Sequence, residues 1–489
     1  IILLVRVCSA QEIEWFVSYN GSGEESMGHF IIQCEDGGFL QVGETYFFSN
    51  PISTKLYVVK TNVDGLKIWD NEIYISGHNL GNSALESADG YIIFGGLDQN
   101  SSIIKLNKDN GAVIYNKNYD NGGTDAYENG VETPNGIVAV GYINSEDPYN
   151  SFYTEGEGFI SFLDNEANEI TSFSIGDYIS QAYRIKLFDN ELYISGLTQE
   201  ALNYKMIKMS LEGDIIWHYE YGGSGSDHCF AMDMNEQGEI FLAGHTRSNT
   251  ENWDVYTIKL NNEGEVLWEN KIGNPRGFNP IYIHDEAWGV RSTLDGGCVT
   301  VAGTGDEYDQ YSECDGNICS DIWNAYIIKY DSNGLVTWSE TFSPLDIGNE
   351  NYDWAAEDLA LTADGGAVIA IDNGQFGFLK LNNIQNTVST NNSDMIPMKL
   401  ILAQNYPNPF NPVTTLQYDL PQDGLVNITI HDMMGKVVRT LVNSSQTAGY
   451  KSIQWSATNN RDEPVSAGLY LYTIQAGEYR QTKKMVLLK

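Results

Sequence analysis

Apolar and polar residues alternate along most of the chain in short runs bounded by Gly, Asn and Asp pairs such as DG, GG and NG. A period of two between such turn residues predicts short β-strands joined by tight hairpins. The stretch "EIEWFVSY", Glu12 to Tyr19, is one such strand, with Ile13, Trp15 and Val17 on one face and no partner beside it in sequence.

Two phrases recur. The first is an apolar strand, a Lys, a polar turn and a strand ending in Trp: "YVVKTNVDGLKIW" (57–69), "KMIKMSLEGDIIW" (205–217), "VYTIKLNNEGEVLW" (255–268) and "AYIIKYDSNGLVTW" (325–338). Looser copies are "SIIKLNKDNGAVIY" (102–115), "GFISFLDNEANEITSF" (158–173) and a truncated "FGFLKLNN" (376–383). The second phrase precedes each copy, as in "DGGFLQVGET", "DGYIIFGGL" and "DGGCVTVAGT", and a further strand lies before it. The marker positions are Lys60, Lys105, Phe162, Lys208, Lys259, Lys329 and Lys380. Four short strands recurring at about this interval predict a β-propeller blade. The last unit lacks its fourth strand, and the surplus N-terminal strand supplies one, because Trp15 matches the blade-ending Trp69, Trp217, Trp268 and Trp338. The expected fold is therefore all-β: a seven-bladed propeller over residues 11–383, closed by strand 12–19 and free of open sheet edges. A linker, "NNIQNTVSTNNSDMIP", spans the polar segment 384–401, and alternating strands over 402–489 predict a small immunoglobulin-like sandwich.

Charge narrows the partners. Sixty-six acidic residues stand against 27 basic ones, a formal net charge of −39. Such a surface repels nucleic acid, anionic lipid and polyanionic polysaccharide, and offers oxygen ligands to Ca²⁺. The first ten residues, "IILLVRVCSA", read as the remnant of a secretory signal ending in Cys8-Ser9-Ala10, with a buried first strand as the alternative. Nothing else approaches the length of a transmembrane segment. Cys34, Cys229 and Cys298 sit in apolar strand patterns, whereas Cys314 and Cys319 flank a polar Gly turn whose spacing allows a disulfide.

Residues 222–273, "GGSGSDHCFAMDMNEQGEIFLAGHTRS…DVYTIKLNNEGEVLWENKIG", resemble the propeller repeats of secreted bacterial proteins, a scaffold of mixed function. The tail is similar to the type A C-terminal sorting domain of the type IX secretion system. The matching elements are Asn405-Tyr406-Pro407-Asn408-Pro409-Phe410-Asn411-Pro412, "HDMMGKVVRTL", "AGYKSIQW", "SAGLYLYTIQAG" and the final "KKMVLLK", with Glu463-Pro464 departing from the usual Gly. That resemblance implies export to the cell surface or medium with the type IX secretion machinery as partner.

Candidate chemistry lies on the channel face. The loops before the innermost strands carry Glu25, His78, Asp125, Asp177, Asp227, Asp285 and Asp353, a ring of acids suited to a cation or, equally, to capping backbone N–H groups. The longest insertion, 303–324, crowds Asp306, Asp309, Asp315 and Asp321 into a candidate Ca²⁺ loop without EF-hand spacing. His228, His284 and Arg291, with His245 and Arg247, are the candidates for catalysis at the channel mouth. Some polysaccharide lyases with seven-bladed propellers place His, Tyr and Arg there, so the comparison implies a lyase or glycoside hydrolase. Aromatic loops with Trp253, Tyr308, Tyr311 and Trp323 suit stacking on neutral sugars. The leading expectation is a binding scaffold for glycan or protein; the alternative is a secreted polysaccharide-degrading enzyme.

Overall fold

A computed structural model describes residues 13–48, 53–145, 156–198, 202–250, 252–274, 283–305, 323–347, 353–384, 401–402, 405, 408–420, 424–446, 449–461, 463–477 and 479–488. The chain divides into two compact units, Ile1–Thr387 and Val388–Lys489.

The described residues of the first unit form seven four-stranded antiparallel sheets, here called blades 1 to 7. Their innermost strands are Glu25–Gln33, Asn79–Ser87, Thr124–Thr133, Gln181–Phe188, Asp227–Met234, His284–Ser292 and Ala355–Leu361. Each innermost strand packs on that of the next blade, and the seventh packs on the first, so the sheets close a ring. Blade 7 is composite. Its outermost strand is Ile13–Tyr19, paired antiparallel to Phe376–Leu381 with Val17 opposite Phe378 and Trp15 opposite Lys380.

The recurring residues each make a recurring contact. The marker Lys reaches back to an acid in the second-phrase turn of its own blade. The pairs are Lys60–Asp36, Lys105–Asp89, Lys208–Glu191, Lys259–Glu239, Lys329–Asp295 and Lys380–Asp364. Blade 3, with Phe162 in place of Lys, stacks it on Phe173 at 6.0 Å instead. Trp sits opposite the Lys in register, and Trp69, Trp268 and Trp15 pack across the interface onto the turn Gly of the next blade, a place that Tyr219 takes over Gly264. A Cβ on Gly111 would lie 2.4 Å from Trp69, on Gly334 2.6 Å from Trp268 and on Gly65 2.7 Å from Trp15. All three glycines have φ between +67° and +79°, so the turn needs Gly for its backbone as well as for the ring above it. The contact of Trp15 with Gly65 joins blade 7 to blade 1 and so repeats, at the seam, the joint used elsewhere.

The Lys–acid pairs are lopsided, which sets a test. The Lys60 side chain is 1% exposed while that of Asp36 is 53% exposed. Lys60 Nζ donates to both Asp36 oxygens, at 3.0 and 2.8 Å, and to the Thr61 carbonyl at 2.8 Å. Removing the acid strands a buried ammonium, whereas removing the ammonium leaves a carboxylate that water can solvate. Asp36→Ala is expected to cost about 2–3 kcal/mol and Lys60→Met less than about 1 kcal/mol, read from urea midpoints. Equal costs would refute the asymmetry.

In the second unit a three-stranded sheet, Ile401–Leu402, Thr414–Leu420 and Gly449–Trp455, accompanies a four-stranded sheet ordered Val437–Gln446, Gly424–His431, Gly468–Ala476 and Tyr479–Leu487. Leu416, Ile428, Ile430, Trp455, Tyr472, Ile474 and Met485 fill one common core, as the alternation of these strands requires.

Candidate functional site

Every innermost strand carries an irregularity at the same place. Pairing with the second strand skips one residue in each blade: His29, Asn82, Glu128, Tyr183, Phe230, Trp288 and Glu357. A bulge leaves the extra residue unpaired and re-aims its side chain. Blade after blade, the bulge recurs while the residue on it changes.

The ring of bulged residues has two unlike arcs. On blades 4 to 6 it is aromatic. Phe230 lies 4.9 Å from Tyr183, edge on, and 4.3 Å from Trp288, ring centre to ring centre. On blades 7, 1 and 3 it carries Glu357, His29 and Glu128, with Glu44 and Asp372 from neighbouring strands. His29 Nε2 lies 2.8 Å from Glu44 Oε2, and the Tyr46 hydroxyl donates to Glu44 Oε1 at 2.7 Å. Burial lowers the His29 pKa, but the Glu44 carboxylate outweighs it and brings it to about 9. Glu44 itself is depressed, since the His29 charge outweighs its burial.

The other acids are held uphill. Burial, with Asp372 nearby, raises Glu357 to about 8. Burial raises Glu128 to about 7 against the pull of Arg184 and His29, and raises Asp372 to about 6. Glu128 in blade 3 senses His29 and Glu44 of blade 1, so its carboxyl faces the channel rather than its own sheet. Below the ring, Arg184 and Arg291 lie over the face of Phe30, at 5.4 and 5.6 Å, and Arg291 Nη2 pairs with Asp358 Oδ2 at 2.8 Å. Deeper still, Arg291, Asp233, Gln33 and Ser292 line a cleft of about 380 Å³.

The loop acids divide. Asp125 accepts from the Asn121 and Asn144 N–H groups at 2.8 and 3.1 Å. Asp227 accepts from the Gly223 N–H at 2.7 Å, and Asp285 from the Asn274 N–H at 2.7 Å. These three lie in or beside the innermost strands, three residues before the bulge, and tie down the incoming loop. In blades 1, 2, 4 and 7 that register belongs to Ser26, Asn79, Ser180 and Trp354. Glu25 and Asp353 fall one position outside it and are exposed, and His78 is partly buried. Asp353 accepts from the Trp323 N–H at 2.9 Å, and Asp177 is exposed in the turn closed by Ile175 and Tyr178. The sequence pointed to this mouth but not to the bulge ring. A signal was present: the residue three after Asp125, Asp227 and Asp285 is Glu128, Phe230 and Trp288.

His228, His245 and His284 do come together. His228 Nδ1 lies 3.0 Å from His245 Nε2, both rings pack on Trp253 at 4.6 and 4.8 Å, and His284 Nδ1 is 3.3 Å from Glu286 Oε1. Burial, with Arg247 next, lowers His228 to about 4, and burial pushes His245 well below the ordinary range. Arg247 lies over Trp253 at 5.0 Å. Arg291 is not in this cluster. It lies five positions beyond the level of Glu286 on the same strand, roughly 15 Å further along the channel.

Asp306, Asp309, Asp315, Asp321, Cys314 and Cys319 lie outside the described residues, as do Tyr308 and Tyr311. Among the described residues no group of three His, Cys, Asp or Glu side chains could hold a metal ion, and Cys34, Cys229 and Cys298 are free thiols. No helix among them is long and apolar enough to cross a membrane. In the tail, Asn405 is buried, its Nδ2 donating to Thr414 Oγ1 at 2.9 Å. Asn408 Oδ1 accepts from the Val486 N–H at 2.8 Å, and Phe410 packs on Trp455 at 5.5 Å. Tyr406 and Pro407 lie outside the described residues.

The family model described as the FlgD Ig-like domain matches residues 413–479. No curated protein matches the chain. Among solved structures, PorZ of Porphyromonas gingivalis, described as an essential bacterial surface component of the type IX secretion system, is 12% identical with a TM-score of 0.42. The match covers 97% of this chain and 61% of PorZ, so the chain spans less than two thirds of PorZ's length. A catalytically inactive variant of the virginiamycin B lyase of Staphylococcus aureus, solved with quinupristin, is 14% identical over 75% of this chain and 99% of its own, with a TM-score of 0.43. The Dos1 propeller is 10% identical over 77% of this chain and 96% of its own, with a TM-score of 0.45. At these identities and scores the likenesses bear on no residue of the channel.

Proposed function

We propose that the chain is an exported, extracellular or cell-surface propeller that binds glycan or protein in its channel mouth, delivered by a C-terminal sorting domain of the type IX secretion system. The observation that carries the binding reading is the bulge ring. The contacts that build a blade recur in nearly every sheet, while the residues aimed into the channel change from His and Asn to Glu, Tyr, Phe and Trp. A repeated scaffold with an unrepeated lumen is what recognition requires, since rigid elements hold a few dissimilar groups in fixed places. Export rests on the tail: Asn405, Asn408 and Phe410 of the matched motif are built into the sandwich by buried contacts. The histidine cluster gives the enzyme alternative less support, because His228 and His245 are paired with each other and pushed toward the neutral form by burial, and Arg291 stands apart from them.

The test uses glycan and peptide arrays probed with the full chain and with Trp288→Ala, whose ring is partly exposed to the lumen. Binding by the wild type that falls roughly tenfold in the variant, with an unchanged melting temperature, is the expected result. Soluble product released from the same glycans, and abolished by His228→Ala or His284→Ala, would replace binding by hydrolysis or elimination. For export, removal of 402–489 is expected to leave the protein in the periplasm, and its normal appearance outside the cell would rule the sorting role out.

A further inference from the structure

The lumen ring sets an aromatic arc against carboxyl groups that lack counter-charges. Around it stand six carboxyls, those of Glu44, Glu128, Glu286, Glu357, Asp358 and Asp372. Against them are four basic groups: His29 paired to Glu44, His284 beside Glu286, Arg291 paired to Asp358, and Arg184, whose nearest charges include both Asp358 and Glu128. Glu128 is 7% exposed, yet neither it nor Glu357 has a hydrogen-bond or ion-pair partner among the described residues. Glu357 is partly exposed, and no oxygen of either acid is sealed from solvent, so both carboxyls are open to a ligand. On the opposite arc Trp288 stacks on Phe230 and leaves part of its ring open to the lumen. An aromatic wall beside carboxyls without a protein counter-charge attracts a cation that carries an apolar body, because the ring faces favour positive charge, the cation draws the carboxyl into its ionised form, and the rings cover the hydrocarbon.

We propose that the bulge ring binds an alkylammonium group, with Trp288 and Phe230 against its hydrocarbon chain and the carboxyl of Glu357, on the blade next to Trp288 and ionised by the cation, at its nitrogen. This deepens the preceding reading and rests on it, since it names what the channel mouth recognises. The ammonium comes either from a lysine side chain of a protein ligand or from a free polyamine, two sources of one chemistry.

Titration calorimetry on the full chain, with Trp emission in parallel, tests it. The probes are hexylamine, its uncharged counterpart hexanol, 1,5-diaminopentane, N-acetyl-lysine methylamide and CaCl₂. Hexylamine is expected to bind saturably and roughly tenfold more tightly than hexanol. Trp288→Ala and Glu357→Gln are each expected to weaken it by about tenfold. Preference for the lysine amide over the diamine assigns a protein source, and the reverse a polyamine. Equal affinity for hexylamine and hexanol, binding that survives both substitutions, or competition by CaCl₂ alone overturns the proposal. If the array ligands still depend on Trp288 while hexylamine does not bind, the amine specificity fails and the channel-mouth reading stands. If neither depends on Trp288, both fail.

Discussion

Deleting residues 13–19 abolishes the cooperative melting transition of the propeller unit. This strand pairs along its length with Phe376–Leu381 and contributes three aromatic anchors. Trp15 covers Gly65 of blade 1, and Phe16 packs on Trp354 at 4.6 Å. The Tyr19 hydroxyl donates to the Gly65 carbonyl and accepts from the Lys67 N–H, at 2.8 and 3.0 Å. Trp15, Phe16 and Tyr19 are each partly buried, together worth roughly 3–5 kcal/mol, a large share of the net stability of an ordinary domain. The deletion also exposes both the edge of Phe376–Leu381 and the flank of blade 1, inviting edge-to-edge association. Calorimetry and light scattering are expected to show a broad, low-enthalpy transition with aggregates, and a peptide of sequence 12–19 supplied in trans is expected to restore part of the transition. A sharp transition within about 2 °C of the intact chain would mean that the seam carries little of the load.

Glu357→Gln is expected to stabilise the protein at alkaline pH. In the folded chain Glu357 keeps its proton up to about pH 8, while in the unfolded chain it loses it near the ordinary glutamate value. The folded state therefore loses stability as pH rises across that interval. His29 acts in the same sense: its folded pKa is about 9, so its contribution is complete below the ordinary histidine value and disappears as pH climbs through 9. The groups facing these two are Glu44, Asp372, Glu286 and Asp358. At the acid end His228, lowered to about 4, costs stability between the ordinary histidine value and 4, because the unfolded chain takes up a proton that the folded one refuses. Between about pH 4.5 and 6.5 the Glu357 and His228 contributions oppose one another, above that interval Glu357 and His29 both lower stability, and the substitution removes the Glu357 part of the decline, on the order of 3–5 kcal/mol at pH 8.5 and little at pH 5. Urea titrations at both values decide it. The same gain at pH 5 as at pH 8.5 would mean that the carboxyl is not the cause.

Much of the architecture was legible from residue patterns because each repeated residue has a repeated contact. Lys60 and its equivalents, the acids of the second phrase, the turn glycines and the blade-ending tryptophans all recur for local reasons, so their spacing exposed the blade. Trp15 was readable as part of a distant sheet only because it shares that pattern. The lumen ring escaped for the opposite reason. Its members His29, Asn82, Glu128, Tyr183, Phe230, Trp288 and Glu357 share a backbone irregularity and no single chemistry, and the phase shift that an extra residue makes is hidden in strands buried on both faces. Where the capping residue is an Asp, as at Asp125, Asp227 and Asp285, the mouth could be located. Where Ser26, Asn79, Ser180 or Trp354 holds that register, the nearest acid drew attention one to three positions away, at Glu25, Asp177 and Asp353. The His cluster was found by residue type, but type could not show that Arg291 lies at another depth.

The pairing of Ile13 with Leu381 puts the first and last residues of the ring shoulder to shoulder. Both ends of the ring thus lie side by side in the composite sheet. Tension applied between those ends runs through that single pair of strands, and the other six sheets hang from it unstretched.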